Sequence, residues 1–447
     1  MTRARAPGVM RLPMTAVSPS SRLVLACLVA LAACGGDEPA PTPGGGPGAA
    51  PGGPAAAPGA AAPAKGAVRE PLAGGPFPAL LVTQAQFVER AGPDGKPQSV
   101  PGPARLVIVR QTPGGWTSAV LEDPDSNVFH KAAVWDGGVL TIGGNQALLR
   151  TWRFADGRWT VATHWTPKFG GRFDRLRDFE VGDVDGDGAP ELVIATHDQG
   201  VIAIVHPDES WRVEEIDRTP STFVQEIEIG DVDGDGKPEF FATPSAPNKL
   251  DQEQPGEVRM YRRGADGAWT KSIVDAPGDT HAKEVLTADV DRDGRSEVYV
   301  AWEGAIGPGG ALVRPVTVKQ YRWKEGKFVG SDVAQIPDRQ MRALAAGDVN
   351  GDGKIDLVGG ALASGLWLFE QGADGWTKTL IDQKSSGYEH PVLVADLDGD
   401  GRLELYAGAE DQQQLRRYVW RSGQWEQTLV APLRKGDITW NVTAGKL

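Results

Sequence analysis

The sequence has few cysteines and no apolar run long enough to cross a membrane as a helix. Cys27 and Cys34 are the two cysteines among 447 residues. Both lie near the N-terminus, so disulfides cannot cross-link the rest of the chain. The apolar run at residues 23–33 has eleven residues, whereas a transmembrane helix needs about 20.

Motifs of several enzyme classes are also missing. The sequence contains no G-x-S-x-G, no H-E-x-x-H and no glycine-rich phosphate loop, and its six histidines are scattered. We therefore predict no catalytic residue. Acidic residues outnumber basic ones by 59 to 46, and this net negative charge argues against nucleic acid as a partner.

Residues 1–33 have the organisation of a signal peptide. Basic residues precede and flank the short apolar run, as in export signals. Leu-Ala-Ala-Cys at residues 31–34 resembles the bacterial lipobox, in which cleavage leaves the cysteine as a lipid-bearing N-terminus. The resemblance implies that the lipid on Cys34 anchors the protein in the membrane of the cell envelope, and Gly35 favours the outer membrane. An ordinary secretory signal cleaved nearby is the alternative.

Residues 34–76 follow as a segment of almost only glycine, proline and alanine. Such a composition cannot bury a core, so we expect a disordered tether. Residues 77–447 then form the globular domain, and their length favours an internal repeat over a single compact core.

A nine-residue acidic pattern, D-x-D/N-x-D-G-x-x-D/E, occurs five times in this domain and begins at Asp183, Asp231, Asp289, Asp348 and Asp396. Each copy offers side-chain oxygens at positions 1, 3, 5 and 9, and glycine at position 6 allows the positive φ of a tight loop. Oxygen ligands in this number suit Ca²⁺, so the pattern predicts up to five calcium ions. The candidate ligands are Asp183, Asp185, Asp187, Glu191, Asp231, Asp233, Asp235, Glu239, Asp289, Asp291, Asp293, Glu297, Asp348, Asn350, Asp352, Asp356, Asp396, Asp398, Asp400 and Glu404.

The last acid is at position 9 rather than at position 12 of an EF-hand, and short β-type runs follow it, so each loop joins two strands. A solvated acidic turn without metal is the alternative interpretation. Asn350 replaces an acid in the fourth copy, which weakens that site.

A second repeat marker, which extends the count beyond the five acidic loops, is a strand that opens with an aromatic residue. It occurs seven times, at Trp116, Trp159, Trp211, Trp269, Phe328, Trp376 and Trp425. Four short strands per unit, repeated every 40 to 60 residues, are typical of β-propeller blades. The sequence therefore predicts an all-β, seven-bladed β-propeller. The first blade lacks its first strand, and residues 437–445 have the pattern to supply it and close the ring.

These features resemble the FG-GAP/VCBS repeat family, the seven-bladed calcium-binding propellers that include the head of integrin α-chains. The resemblance covers residues 77–447 and implies the fold and calcium at the five loops. It does not imply one function.

A ring of polar side chains is predicted at the channel mouth opposite the acidic loops, where the first strands begin. Its members are His130, Arg177, Gln225, Lys283, Arg342, His390 and Trp440. Asp178, Glu226 and Glu284 lie one step further along three of these strands. Long connections at residues 90–103, 244–257 and 303–310 lie on the same face, where binding loops are common. Polar residues are also expected at any wet strand end, which is the alternative.

The sequence favours a non-catalytic protein that binds a glycan or protein ligand at this mouth. One alternative is a lyase-like enzyme on an anionic polysaccharide, in which Arg177, Lys283 and Arg342 neutralise a uronate and His130, His390 or Glu284 moves protons. Another is an envelope assembly or scaffold protein.

Overall fold

The computed structural model describes residues 62–63, 76–93, 95–171, 174–247 and 254–447. In these ranges the chain is built of β-strands and connections, with one 3₁₀ turn at Pro308–Gly310. No helix among these residues is long and apolar enough to cross a membrane. The predicted signal peptide, Cys34 and most of the predicted tether lie outside the described residues.

Seven antiparallel sheets of four strands form the blades of a β-propeller, as predicted. Each blade runs from a first strand at the channel to a fourth strand at the rim, and blades are numbered here along the chain. The first strands of blades 1 to 7 are Ile438–Lys446, Phe129–Trp135, Leu176–Gly182, Phe223–Gly230, Ala282–Ala288, Met341–Gly347 and Val392–Ala395. The second strands are Pro78–Ala91, Gly138–Gly143, Glu191–Thr196, Glu239–Ser245, Glu297–Trp302, Asp356–Ala361 and Glu404–Ala409. The third strands are Pro97–Thr112, Leu149–Ala155, Ile202–His206, Val258–Arg263, Val316–Lys324, Leu366–Gly372 and Gln414–Arg421. The fourth strands are Gly115–Asp123, Arg158–Trp165, Arg212–Asp217, Trp269–Asp275, Lys327–Ile336, Gly375–Asp382 and Gln424–Pro432.

Two short pairings lie outside this scheme. Ala62–Pro63, within the predicted tether, pairs with the fourth strand of blade 2. In blade 5, Ala305–Ile306 pairs with Leu312–Arg314, so the predicted long loop at 303–310 contains the first strand of a small hairpin. The prediction of a long loop at residues 90–103 is wrong. The second and third strands of blade 1 extend through most of this range and leave only a short turn.

The C-terminal strand closes the ring, as predicted. Ile438–Lys446 pairs antiparallel with Pro78–Ala91, and Val82 lies opposite Val442. Phe77 and Leu447 exchange backbone hydrogen bonds of 2.7 and 3.0 Å at the end of this pair. The first strand of each blade contacts those of both neighbouring blades, in a closed cycle.

The core lies between the blades rather than at one centre. Every residue of the second strands of blades 2 to 7 is buried, because each of these strands is covered on both faces. Rim aromatics join neighbours: Trp116 of blade 1 lies edge-on to Tyr406 of blade 7, and Trp376 of blade 6 lies edge-on to Tyr299 of blade 5. Such pairs add about 0.5 to 1.5 kcal/mol beyond area burial.

A repeated hydrogen bond also links adjacent blades. A third-strand tyrosine donates its hydroxyl hydrogen to the aspartate that ends the fourth strand of the preceding blade. The pairs are Tyr261 with Asp217 at 2.8 Å, Tyr321 with Asp275 at 2.5 Å and Tyr418 with Asp382 at 2.8 Å. The carboxylate acceptor makes these bonds stronger than neutral ones.

Candidate functional site

Each first strand begins at the channel mouth and ends at the opposite face, where the acidic loops of blades 3 to 7 lead into the second strands. The blade 3 loop shows how the sequence shapes them. Both carboxylate oxygens of Asp183 accept backbone hydrogen bonds, from Gly186 at 2.7 Å and Gly188 at 3.0 Å. Gly188, at position 6, has φ +93°, as the pattern predicted. The backbone amides hold the aspartates in place, and Val184 at position 2 packs into the core between blades 3 and 4.

The position 9 acids are buried beneath their loops. Glu191 accepts a hydrogen bond from Val184 N at 3.0 Å through Oε2, while Oε1 is buried and has no hydrogen-bond partner among the described residues. Asp348 Oδ1 and Asp356 Oδ2 in the blade 6 loop are likewise buried, without a hydrogen-bond partner among the described residues. Burial raises the pKa of Glu191 and of Asp356 to about 7. Buried carboxylate oxygens without a donor are the environment that a cation would complete.

The acidic side chains converge as a metal site requires. Three or four ligand atoms lie within 4.8 Å of one another in the loops of blades 3, 4, 5 and 7. Four of the five loops therefore hold acidic clusters that could bind a metal ion, and the donor set, all oxygen except at blade 3, fits a hard cation.

Arginines from the third strands flank three loops, which spacing alone did not predict. Arg262 contacts Glu239 at 2.6 Å and Asp233 at 2.8 Å. Arg322 contacts Asp291 at 3.0 Å and Glu297 at 3.1 Å. In blade 7, Arg417 contacts Glu404 at 2.5 Å and also Asp398. In blade 6 the corresponding third-strand residue is an acid, Glu370. It accepts a hydrogen bond from Asn350 at 3.1 Å.

At the other face, six of the seven predicted ring residues line the mouth. Arg177, Gln225, Lys283, Arg342 and His130 are each less than 10% exposed. The Arg177 guanidinium lies 5.1 Å from the centre of a Trp440 ring, and His130 meets Trp440 edge-on at 4.8 Å. The mouth thus joins a cation, an imidazole and an indole in one contact group.

Acidic residues complete the mouth, and of these the sequence analysis named Glu226 but not Glu389. Glu226 lies 3.4 Å from Arg177, and Glu389 lies 2.7 Å from Arg342 and 3.8 Å from Arg177. Glu303 lies 3.3 Å from Arg342. Three carboxylates therefore share these two arginines, which makes the mouth a network rather than a ring of separate cations.

His390 is directed away from this network. Its Nδ1 donates to Ala361 O at 2.7 Å, and its Nε2 accepts from Ser385 Oγ at 2.7 Å. Both ring nitrogens are thus engaged between blades 6 and 7. The neighbouring Glu389 reaches the mouth in its place.

Mouth pKa values are shifted by burial and by like charges. Burial and the Arg342 charge lower the pKa of Lys283 to about 7. Burial raises the pKa of Glu410 to about 8, and burial with the Arg177 and Arg175 charges lowers those of His130 and His197 well below their usual value. At neutral pH these imidazoles are uncharged, Glu410 is mostly protonated and Lys283 is partly charged.

Below the mouth lies an inner acidic layer, formed by Asp178, Glu180, Glu226, Glu228 and Glu284 around Lys131. Lys131 lies 3.1 Å from Asp178 and also contacts Glu180. Asp178 accepts a hydrogen bond from Ile227 N at 2.9 Å, and Glu284 accepts one from Leu344 N at 3.0 Å, so each carboxylate ties its strand to the next blade. Burial raises the pKa of Glu226, Glu228 and Glu284 well above the usual value.

Comparison with known proteins agrees with this architecture. The model of the FG-GAP-like repeat matches residues 183–242, 231–300 and 348–407. No curated protein matches the chain. Among solved structures, the periplasmic gluconolactonase PpgL of Pseudomonas aeruginosa is 14% identical, with 82% of this chain and 99% of that chain covered and a TM-score of 0.49. A protein from Lactobacillus plantarum is 10% identical, with 83% and 99% covered and a TM-score of 0.47.

The repeat matches begin at the acidic loops of blades 3, 4 and 6 and extend into the blades that follow. They agree with the resemblance that the sequence motifs indicated. The chain is a seven-bladed β-propeller that carries FG-GAP-like repeats.

Proposed function

We propose that this protein is an envelope-anchored propeller that binds an anionic ligand, such as an acidic glycan or an acidic protein segment, at its channel mouth without catalysing a reaction. The observation that carries the proposal is the buried set of cations Arg177, Arg342 and Lys283, in which the Arg177 guanidinium lies against the Trp440 ring. Guanidinium groups bind carboxylates in a bidentate manner, through two parallel hydrogen bonds. An indole face suits the apolar face of a sugar or an aliphatic side chain.

The state of the mouth acids and bases favours an anion over a cation. Glu303, Glu389 and Glu226 already pair with the arginines, while Glu410 is mostly protonated at neutral pH because burial raises its pKa to about 8. The indole nitrogen of Trp440 is buried and has no acceptor among the described residues. A ligand carboxylate would supply that acceptor, and its negative charge would favour the protonated form of Lys283.

Calcium is the proposed cofactor, at up to five loops. The support is the convergence of the acidic side chains and the buried carboxylate oxygens without donors at Glu191, Asp348 and Asp356. A bound ion would cancel the repulsion among the carboxylates and so stabilise the turn between the two innermost strands of a blade.

Substitutions at the mouth test the binding role. Arg177→Gln and Lys283→Met are expected to weaken binding of a short oligouronate by about 10-fold or more each, because a charge-assisted hydrogen bond contributes roughly 1.5 to 3 kcal/mol. Calorimetric titration measures the change. Arg212→Gln on the rim, where the side chain is 44% exposed, is the matched control and should bind like the wild type. Equal affinity for a neutral oligosaccharide of the same length would contradict the proposal.

The same samples distinguish binding from catalysis. A lyase acting on the oligouronate would create a double bond that absorbs in the ultraviolet. We expect no absorbance change during a long incubation with wild-type protein. A steady rise that Arg177→Gln abolishes would establish the enzyme and overturn the non-catalytic assignment.

Affinity for the oligouronate is expected to fall as pH rises through about 7 to 8. Lys283, with its pKa lowered to about 7, loses its positive charge in this window, and Glu410, with its pKa raised to about 8, gains a negative one. Both changes disfavour an anion. Lys283→Arg keeps the charge at all these pH values and should give a shallower pH profile by calorimetry. Superimposable profiles for the two proteins would show that Lys283 does not face the ligand.

Lipid anchoring is part of the proposal and is tested separately. Cys34→Ser is expected to abolish labelling by a fatty-acid analogue and to release the protein from the membrane fraction. Cys27→Ser is the matched control, because Cys27 leaves with the signal peptide. Labelling of Cys34→Ser at the wild-type level would refute the anchor.

A further inference from the structure

One cluster in the blade 3 loop differs from the other acidic loops because it includes a histidine. Asp185, Glu191 and His206 each place a ligand atom within 4.8 Å of the others. His206 Nδ1 lies 3.8 Å from Glu191 Oε1 and 4.0 Å from Asp185 Oδ2. Metal bonds of about 2.1 Å allow two ligand atoms to lie up to about 4 Å apart, so the imidazole is at ligand distance from both acids.

The histidine is buried and unsatisfied, which sets the cluster apart from a solvated group of acids. His206 is 2% exposed, and within the described part of the chain neither of its ring nitrogens makes a hydrogen bond. Glu191 is 0% exposed and its Oε1 also lacks a partner there. An imidazole nitrogen and a carboxylate oxygen thus face each other in a buried site, and each such atom without a hydrogen-bond partner is costly.

Blades 4 and 5 show which residue occupies the position equivalent to His206. His206 is the third-strand residue next to Glu191, as Arg262 is to Glu239 in blade 4 and Arg322 is to Glu297 in blade 5. In those blades the arginine satisfies the acid directly. Blade 3 has an imidazole in place of this arginine, so a bound cation is left to neutralise the acid.

We propose that the blade 3 loop, in place of the calcium ion assigned to it above, binds a divalent transition metal of the zinc type through His206 Nδ1, Glu191 Oε1 and Asp185. Imidazole suits Zn²⁺, Co²⁺ and Ni²⁺, whereas Ca²⁺ prefers oxygen alone. Glu214 Oε2 lies 3.6 Å from His206 Nε2, where a carboxylate can orient the ring from behind the metal. Arg263 holds Asp185 Oδ2 at 2.9 Å and so fixes the third ligand from the neighbouring blade.

Cobalt titration of the chelator-treated full-length chain tests this site. One equivalent of Co²⁺ is expected to bind with visible absorption bands and to resist an excess of Ca²⁺. His206→Arg, which restores the residue of blades 4 and 5, should lose this equivalent, and Glu214→Gln should weaken it by about 10- to 100-fold. His164→Ala, at the rim of blade 2, should behave like the wild type.

A second measurement observes the histidine rings directly. Zn²⁺ added to protein with ¹⁵N-labelled histidine should shift the ring nitrogens of one histidine by nuclear magnetic resonance, and that signal should be absent from His206→Asn. Unchanged histidine signals, or equal Co²⁺ binding by wild type and His206→Arg, would overturn the proposal.

Discussion

Deletion of residues 437–447 is expected to lower the melting temperature by about 5 to 20 °C. The deletion removes the first strand of blade 1, with Ile438 and Val442 each less than 10% exposed. It also uncovers Leu80 and Val82, which are fully buried beneath that strand. At about 1.5 to 3 kcal/mol for each large apolar side chain, the loss is on the order of 5 to 10 kcal/mol, and each kcal/mol shifts the melting temperature by roughly 1 to 2 °C in a domain of this size.

Calorimetry or circular dichroism measures the shift, and a synthetic peptide of residues 437–447 supplies the control. Added in excess, it should pair with the vacant edge of Pro78–Ala91 and recover part of the stability. The substitution Val313→Ala, at a side chain that is 65% exposed, should change nothing. A truncated protein that melts within 2 °C of the full chain would show that ring closure contributes little.

Calcium is expected to raise the melting temperature of chelator-stripped protein by several degrees, and chelator should reverse the rise. Each independent site contributes about 2.7 kcal/mol when free calcium is 100 times its dissociation constant. Asp231→Ala together with Asp233→Ala should remove one ion from the total. Asp136→Ala, in the blade 2 hairpin that has no acidic loop, should leave the stoichiometry unchanged.

Metal analysis after dialysis and calorimetric titration measure the calcium stoichiometry. Magnesium should substitute poorly, because it demands a tight octahedral shell and gives up water reluctantly. Fewer than three bound calcium ions, or no thermal shift on adding calcium, would refute the assignment of these loops as calcium sites. The blade 3 ion is counted apart, since the cobalt titration reports it separately.

The fold could be predicted from the sequence because each blade repeats the same local chemistry. The aspartates and glycines of a loop such as Asp183 to Glu191 specify their own turn through backbone hydrogen bonds, so the pattern alone locates the first and second strands. The closing strand was predicted from the same pattern. Local rules agree with the global structure here, as is expected of a sequence with one stable fold.

The candidate site was less predictable, because its partners come from irregular connections. Counting back from the acidic loops located Arg177, Gln225, Lys283 and Arg342, which lie on regular strands. The count also placed His390 at the mouth, but its ring bonds between blades 6 and 7, because the first strand of blade 7 begins only at Val392 and His390 itself has φ +44°. Glu303 and Glu410 follow second strands, and Glu389 precedes a first strand, so their spatial positions do not follow from strand periodicity.

Ring closure also has a consequence for the time course of folding. Thr83 hydrogen bonds to Asn441, 358 residues later. At about 5 to 20 residues synthesised per second, the second strand of blade 1 is synthesised roughly 20 to 70 s before the strand that pairs with its inner edge. Contacts so distant in sequence also slow folding. A nascent chain of this protein is therefore expected to remain without a complete first blade until its C-terminal strand has been synthesised.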